Sequence, residues 1–385
     1  MSDARVPLFR EAELTDVLQP VELARNLPGG VYVEPDVFAL ERDTIFSTGW
    51  TCAGRMEDFE QAGAFLSTAV AGRPVLVVRG EDRELRAFHN ACRHRGACLA
   101  QEESGVARSF RCNYHAWTYG TDGQLLAAPL MDERDDFDLA EHGLAPIGLA
   151  TWGGFVFVNL DEDAGALADA MNGFPDLERY GLESLRRAHS VTYDVAANWK
   201  VLCENYSECY HCALVHPQLN RVTDYRSGGQ SFVGSSFNGG PMKLRDSYTT
   251  LSTTGQRCYP EIEGINESDR KQIHYLHLYP SFLIGLAPDY VLVHRVQPVD
   301  AGHSSVLCEW FYPATTVALS DFDASETIEF WDLTNRQDWQ LCEMVQRGAA
   351  ARLAPGPYHP LEFCAHAFDR WFVDQLGERL AALRR

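Results

Sequence analysis

The chain has 385 residues, which at roughly 150 per domain predicts two or three domains and a large buried core. Hydrophobic residues at 45% and charged ones at 23% are ordinary globular values and exclude a disordered or collagenous class. With 33 Lys+Arg against 54 Asp+Glu, the net charge of −21 argues against gripping nucleic acid or an anionic membrane.

No run approaches the ~18 apolar residues of a membrane span, and the start from Met1 to Arg5 lacks the layout of a secretion signal, so a soluble, cytoplasmic protein is expected. Eleven cysteines is an odd number in a chain too long to need disulfide staples. Free thiols and metal ligands are expected instead. Residues 1–45 read as an N-terminal segment with one helical stretch from Glu11 to Arg25, ending at Pro28-Gly29-Gly30. From Trp50 to about Leu160, short β-rich runs such as Pro74 to Val78 and Gly154 to Val158 alternate with Gly and Asp turn signals. A small all-β domain over 46–162 follows.

A helical linker is expected from about Ala166 to Arg187. Beyond it, Tyr275 to Val296 reads as two strands around Ala287-Pro288-Asp289, and Ser304 to Tyr312 as a third. Asn198 to Leu214 and Ser325 to Val345 have the helical period. The second region, 163–385, is therefore α+β.

Two short Cys/His pairs lie in the β domain, Cys92-Arg-His94 and, after seventeen intervening residues, Cys112-Asn-Tyr-His115. Two such pairs on two loops can close a four-ligand cage. Cys2His2 serves structural zinc, and also a Rieske [2Fe-2S] centre, in which two His replace two Cys on one iron. Zinc fingers favour a Cys pair followed by a His pair, whereas here each loop supplies one of each. This pattern resembles the Rieske family, with His-Arg-Gly after the first pair and Tyr-His-x-Trp around the second. Cys98 falls outside it and reads as a small buried residue.

A second constellation runs from Asn198-Trp199-Lys200 through Glu204-Asn205-Tyr206 and Glu208-Cys209-Tyr210-His211 to His216-Pro217. At about 100° per residue, Glu208 and His211 share a helix face, but His211 and His216 are about 140° apart. Pro217 resolves this by pushing His216 out of the α region, so that it can turn back toward the same metal. Two imidazoles and one carboxylate form the facial triad of non-haem Fe(II) oxygenases. By residue type alone, Glu204, Glu208, Asp332 and Asp338 are all candidates for the carboxylate.

This run resembles the catalytic motif of Rieske oxygenase α subunits. The resemblance implies that His211 and His216 bind iron and that Asp338, which precedes a Gln346-x-Gly348 step, completes the triad. It implies that Glu208 bridges to a cluster ligand, His115, of the neighbouring subunit; Asn205, one turn before Glu208, can reach the same side and is a further candidate catalytic residue. Glu departs from the Asp of most members, but agrees with relatives acting on choline, betaine and carnitine-type quaternary amines.

Cys203, Cys209 and Cys212 imitate redox and ferredoxin spacings without their context and read as packed thiols. The fold implied is a Rieske β domain followed by a helix-grip, START-like catalytic domain with an antiparallel sheet and helices. The cofactors implied are a [2Fe-2S] cluster and a mononuclear Fe(II). Partners are O2, a small substrate, a separate NAD(P)H-dependent reductase or ferredoxin, and two further copies in a homotrimer. No dinucleotide fingerprint occurs in the chain itself.

The activity implied is hydroxylation beside nitrogen in a quaternary ammonium compound, with loss of an aldehyde. The 20 Phe, 8 Trp and 15 Tyr offer material for a cation–π cage. The alternatives are hydroxylation or O-demethylation of an aromatic acid, or an electron-transfer or metal-sensing module without oxygenase activity.

Overall fold

The computed structural model describes residues 8–227 and 232–383, so the five-residue start considered above lies outside it. Two compact units emerge: Phe46–Leu167, and Ala168–Arg385 together with the segment up to Ile45. No described helix is long and apolar enough to cross a membrane.

The smaller unit is all β. A four-stranded antiparallel sheet runs in the order Leu85–His89, Arg73–Arg79, Ala64–Val70, Ser104–Val106, and two three-stranded sheets complete the unit. Arg73–Arg79 is central and carries four consecutive buried residues, Val75 to Val78, as a strand covered on both faces requires. Leu76 and Val78 join Phe65, Phe110, Trp117 and Tyr119 in one core that also encloses Cys92 and Cys112. Burying the two thiols under this core fixes the loops that carry them.

The larger unit is built on an antiparallel sheet. From one edge its strands are Leu185–Val195, His303–Pro313, Val291–Asp300, Phe282–Leu286, Gln272–Leu278 and Phe237–Leu244, ending at Thr223–Asp224. The stretch expected as two strands forms three, because the turn at Tyr279-Pro280-Ser281 splits it. The expected linker helix also fails. Only Leu167–Ala170 is α-helical, with single 3-10 turns at Glu178–Tyr180 and Leu182–Ser184, while Leu185 onward pairs with His303–Pro313, a distant partner that local pattern does not reveal.

Three helices pack with this sheet: Trp199–Tyr206, Ser325–Ala349 and Phe363–Ala382. The N-terminal segment packs on the last two through Glu11–Thr15, Gly30–Val33 and Pro35–Asp43. Its helix is shorter than expected, ending at Thr15, and Gly30 opens a helix instead of closing one.

Candidate active site

The helix Trp199–Tyr206 begins where Asn198 caps it, the side chain accepting from the Lys200 N–H at 3.1 Å. The Asn198 N–H donates to Gln346 Oε1 at 3.0 Å, so the two sequence motifs meet in space. Trp199 and Lys200 both reach Glu41, at 2.8 and 2.5 Å, and Lys200 and Glu41 are each 0% exposed. Such a pair tolerates loss of neither partner, since the survivor stays buried and charged.

The helix stops at Tyr206, eight residues short of the expected end. Ser207 Oγ donates to the Cys203 carbonyl at 2.7 Å, competing with the helical ladder. Glu208 lies in the turn that follows and accepts from the Tyr210 N–H. A single helical turn, Cys212–Val215, then separates His211 from His216. His216 has φ −116° and ψ 71°, outside the α region, as the following Pro217 demands.

This bend brings the two imidazoles together. His211 Nε2 and His216 Nε2 are 3.2 Å apart, and Asp338 Oδ1, from the helix Ser325–Ala349, lies 3.3 and 2.8 Å from them. Ligands held about 2.1 Å from one ion at right angles are about 3 Å apart, so the three atoms match one face of an octahedron. Each ring is also locked from behind: His211 Nδ1 by Glu208 Oε1 at 2.5 Å, His216 Nδ1 by Gln337 Oε1 at 2.8 Å. Both rings thus present Nε2 to the metal position.

Desolvation opposes charge on His211, but Asp338 and Glu208 outweigh it and lift the imidazole to about 10. Burial opposes charge on Asp338 as well, but His211 and His216 outweigh it and hold the carboxyl below its ordinary range. The field at this spot favours a cation.

The other carboxylates go elsewhere. Asp332 accepts from Arg336 and from the Tyr193 hydroxyl, both at 2.8 Å. Glu204 accepts from the Tyr32 hydroxyl at 2.9 Å. Among the described residues, His211, His216 and Asp338 are the one group of three or more His, Cys or acidic ligand atoms lying within 4.8 Å of each other.

The sequence reading missed Gln337 and Gln218, whose Nε2 supports Gln337 Oε1 at 2.7 Å; nothing in their spacing announces them. Cys209 and Cys212 are not the separate packed thiols expected from the sequence. They are joined in a disulfide, because the turn after Tyr206 brings their Cα atoms to 5.0 Å, within bonding reach. Cys98 is likewise exposed, not buried.

The metal group opens on a cavity of about 140 Å³, close to the ~150 Å³ of a site that holds one benzene-sized molecule. Asn205, Glu208 and five aromatic side chains line it: Tyr206, Tyr225, Tyr275, Trp331 and Phe363. The rings of Tyr206 and Tyr275 meet edge to face at 6.0 Å, and Trp331 adjoins Tyr275 at 6.3 Å. No Lys or Arg lines it among the described residues.

In the β unit the two Cys/His loops share one design. The Gly96 N–H donates to Cys92 O and the Ala116 N–H to Cys112 O, while the Cys92 and Cys112 N–H groups donate to Ala97 O and Trp117 O. Gly96 and Ala116 are the left-handed residues that turn each loop back, at φ 73° and 59°. Ala116 accepts a conformation that Gly would adopt without strain.

The rings of His94 and His115 stand 4.5 Å apart, and His94 stacks on Trp117. His94 Nδ1 is buried without a hydrogen-bond partner, as an atom reserved for a metal would be. The two cysteines are buried and His115 is exposed. The four residues do not form a compact group such as one zinc ion would need, which suits a cluster of two irons.

Residues 49–149 match the Rieske [2Fe-2S] domain family, and 182–378 match the ring hydroxylating alpha subunit (catalytic domain) family. The glycine betaine monooxygenase oxygenase subunit of Pseudomonas aeruginosa is 33% identical, over 96% of this chain and 94% of that one. The chain belongs to the Rieske oxygenase α subunits. The carnitine monooxygenase oxygenase subunit of Acinetobacter baumannii is also 33% identical, over 86% of this chain and 87% of that one.

The solved structure of the quaternary ammonium Rieske monooxygenase CntA with its substrate gamma-butyrobetaine superposes with a TM-score of 0.76 at 25% identity, covering 98% and 100% of the two chains. As a Rieske oxygenase subunit, the protein is an oxidoreductase with a [2Fe-2S] cluster and a mononuclear iron, and it depends on a separate reductase.

Tyr119 adds a control on the Rieske unit. Its oxygen accepts from the Arg93 N–H at 3.0 Å, which leaves its own hydrogen for Cys92 Sγ at 3.3 Å. Hydrogen bonds to sulfur stabilise the more negative, reduced cluster. Tyr119→Phe is expected to lower the reduction potential by roughly 60 mV, equivalent to about 1.4 kcal/mol for one electron, as read by spectroscopic redox titration.

Proposed function

We propose that the chain is the terminal oxygenase of a two-component monooxygenase that N-demethylates a small quaternary ammonium compound. Cys92, His94, Cys112 and His115 hold the cluster, and His211, His216 and Asp338 hold the iron. The observation that carries the substrate class is the cavity: aromatic walls, the carboxylates Glu208 and Asp338, and no Lys or Arg among the described residues. A trimethylammonium group is attracted by aromatic faces and by negative charge. An aromatic carboxylate would meet that same negative charge with no Lys or Arg to pair it.

The iron supplies O2 activation when electrons reach it. Hydroxylating a methyl group on nitrogen takes one oxygen atom from O2, two electrons and two protons, and releases the other oxygen as water. The hydroxymethyl ammonium then loses its hydroxyl proton, its C–N bond breaks with the electron pair going to nitrogen, and formaldehyde and a tertiary amine result. The protein's share is to hold the ammonium against Tyr206, Tyr275 and Trp331, to orient both imidazoles from behind, and to keep Nδ1 of His211 on Glu208.

Exposure of His115 and the position of Glu208 at the outer nitrogen of His211 support a head-to-tail homotrimer, in which Glu208 bridges to the neighbouring chain's cluster. The need for reduced nicotinamide and a reductase supports a cytoplasmic setting. A bare electron carrier has no use for an open three-ligand group, which weighs against that alternative. Oxygen uptake and formaldehyde release with a surrogate reductase test the substrate class. Betaines or choline are expected to stimulate both; stimulation by aromatic acids alone would overturn the proposal.

A further inference from the structure

One acid pair in the catalytic unit plays no part in the metal group. The helices Trp199–Tyr206 and Phe363–Ala382 pack together and set the carboxyl of Glu204 beside that of Asp369. Two carboxylates have no hydrogen to share. Asp369 is 1% exposed; its Oδ2 accepts from the Tyr358 hydroxyl at 2.5 Å, but its Oδ1 is buried with no partner while both acids are ionised. Glu204 Oε1 already accepts from the Tyr32 hydroxyl at 2.9 Å.

We propose that Glu204 is protonated at neutral pH and donates from its second oxygen to Asp369 Oδ1. The result is a directed chain, Tyr32 to Glu204 to Asp369, with Tyr358 donating from the far end. Every polar atom in it is then satisfied. The chain clasps three separate parts of the unit, the N-terminal segment, the pocket helix and the C-terminal helix. Glu204 is thereby a positioning residue for Asn205 and Tyr206, which follow it into the cavity wall.

The surroundings agree. Lys200, one turn back, draws both acids down, but its ammonium is engaged by Glu41 and Asn198 at 2.5 and 2.7 Å. Glu362 adds negative charge from the C-terminal side. Burial keeps the Tyr32 and Tyr358 hydroxyls and the Cys203 and Cys342 thiols neutral. Desolvation, then the charge of Asp369, pushes Glu204 well above the carboxylate range, and desolvation raises Asp369 as well. The fold thus keeps a proton that the unfolded chain releases above its ordinary carboxyl pKa. The clasp is fully present at low pH and weakens as pH rises, the reverse of an ordinary salt-bridged acid.

Glu204→Gln tests this on the iron-replete holoenzyme, because an amide accepts from Tyr32 and donates to Asp369 at every pH. The expected variant keeps its iron and, at neutral pH, product formation within about twofold of wild type. Its melting temperature should exceed that of wild type by a margin that widens from about pH 6 to about pH 9. The wild type should show an infrared band of a protonated carboxyl at neutral pH that the variant lacks. Glu204→Ala, which leaves Asp369 Oδ1 without a donor, should melt lower and show a raised KM with its iron retained. Absence of that band from the wild type, or a Glu204→Gln melting curve with the same pH dependence as wild type, would overturn the proposal. So would a more than tenfold loss of product in iron-replete Glu204→Gln, since the glutamate proton would then be one the reaction consumes.

Discussion

Asp338→Ala will lower iron from about three to about two atoms per chain while leaving the visible spectrum of the cluster unchanged, and product formation will fall to background. Among the described residues, Asp338 Oδ1 is the one carboxylate oxygen that converges with both Nε2 atoms, and without it two imidazoles remain to hold the ion. Removing a group that merely orients a ligand costs about 10–100-fold in affinity, so removing a ligand should cost at least that. Asp332→Ala is the control. Its carboxylate is taken up by Arg336 and Tyr193, so its loss should leave the iron in place. Metal analysis beside an optical spectrum separates the two variants.

Glu208→Ala is expected to behave differently, with both metal centres filled and product lost. Glu208 is no part of the three-atom group; it accepts from His211 Nδ1 and from the Tyr210 N–H. If it carries the link to the neighbouring cluster, turnover should drop by about 100-fold or more in steady state and in a single turnover of chemically reduced protein. Glu208→Asp, one methylene shorter, should recover part of the rate. Wild-type yield from Glu208→Ala would end the bridging role.

What the sequence announced was what it keeps close together. The two Cys/His loops are readable as a matched pair because each Cys/His pair sits within four residues, and a left-handed residue in each turns the backbone on itself. His216 was readable through Pro217, a local steric rule that the backbone angles obey. Asp338 was not distinguishable by residue type from Glu204, Glu208 or Asp332; only the approach of the long helix Ser325–Ala349, more than a hundred residues away, separates them. The failed linker helix has the same cause. Leu185–Val195 owes its extended form to His303–Pro313, and no local period encodes that pairing.

The Glu204 and Asp369 pair lies beyond sequence reasoning for a further reason. Its chemistry depends on which buried oxygen lacks a donor, a property of packing and not of residue type. Gln337 is similar: an ordinary helical glutamine until His216 Nδ1 is found 2.8 Å from its oxygen.

The claim on which the rest depends is that electrons held at Cys92, His94, Cys112 and His115 are spent at His211, His216 and Asp338 on a quaternary ammonium substrate. The most direct measurement is a single turnover without reductase. Iron-replete protein, reduced anaerobically and freed of reductant, is mixed with O2 and a betaine while the cluster spectrum and formaldehyde are followed together. Reoxidation of the cluster in step with formaldehyde, in proportion to the ferrous sites filled, is the result expected. A cluster that stays reduced, or reoxidises at the same rate in Asp338→Ala and with no product in the wild type, would contradict it.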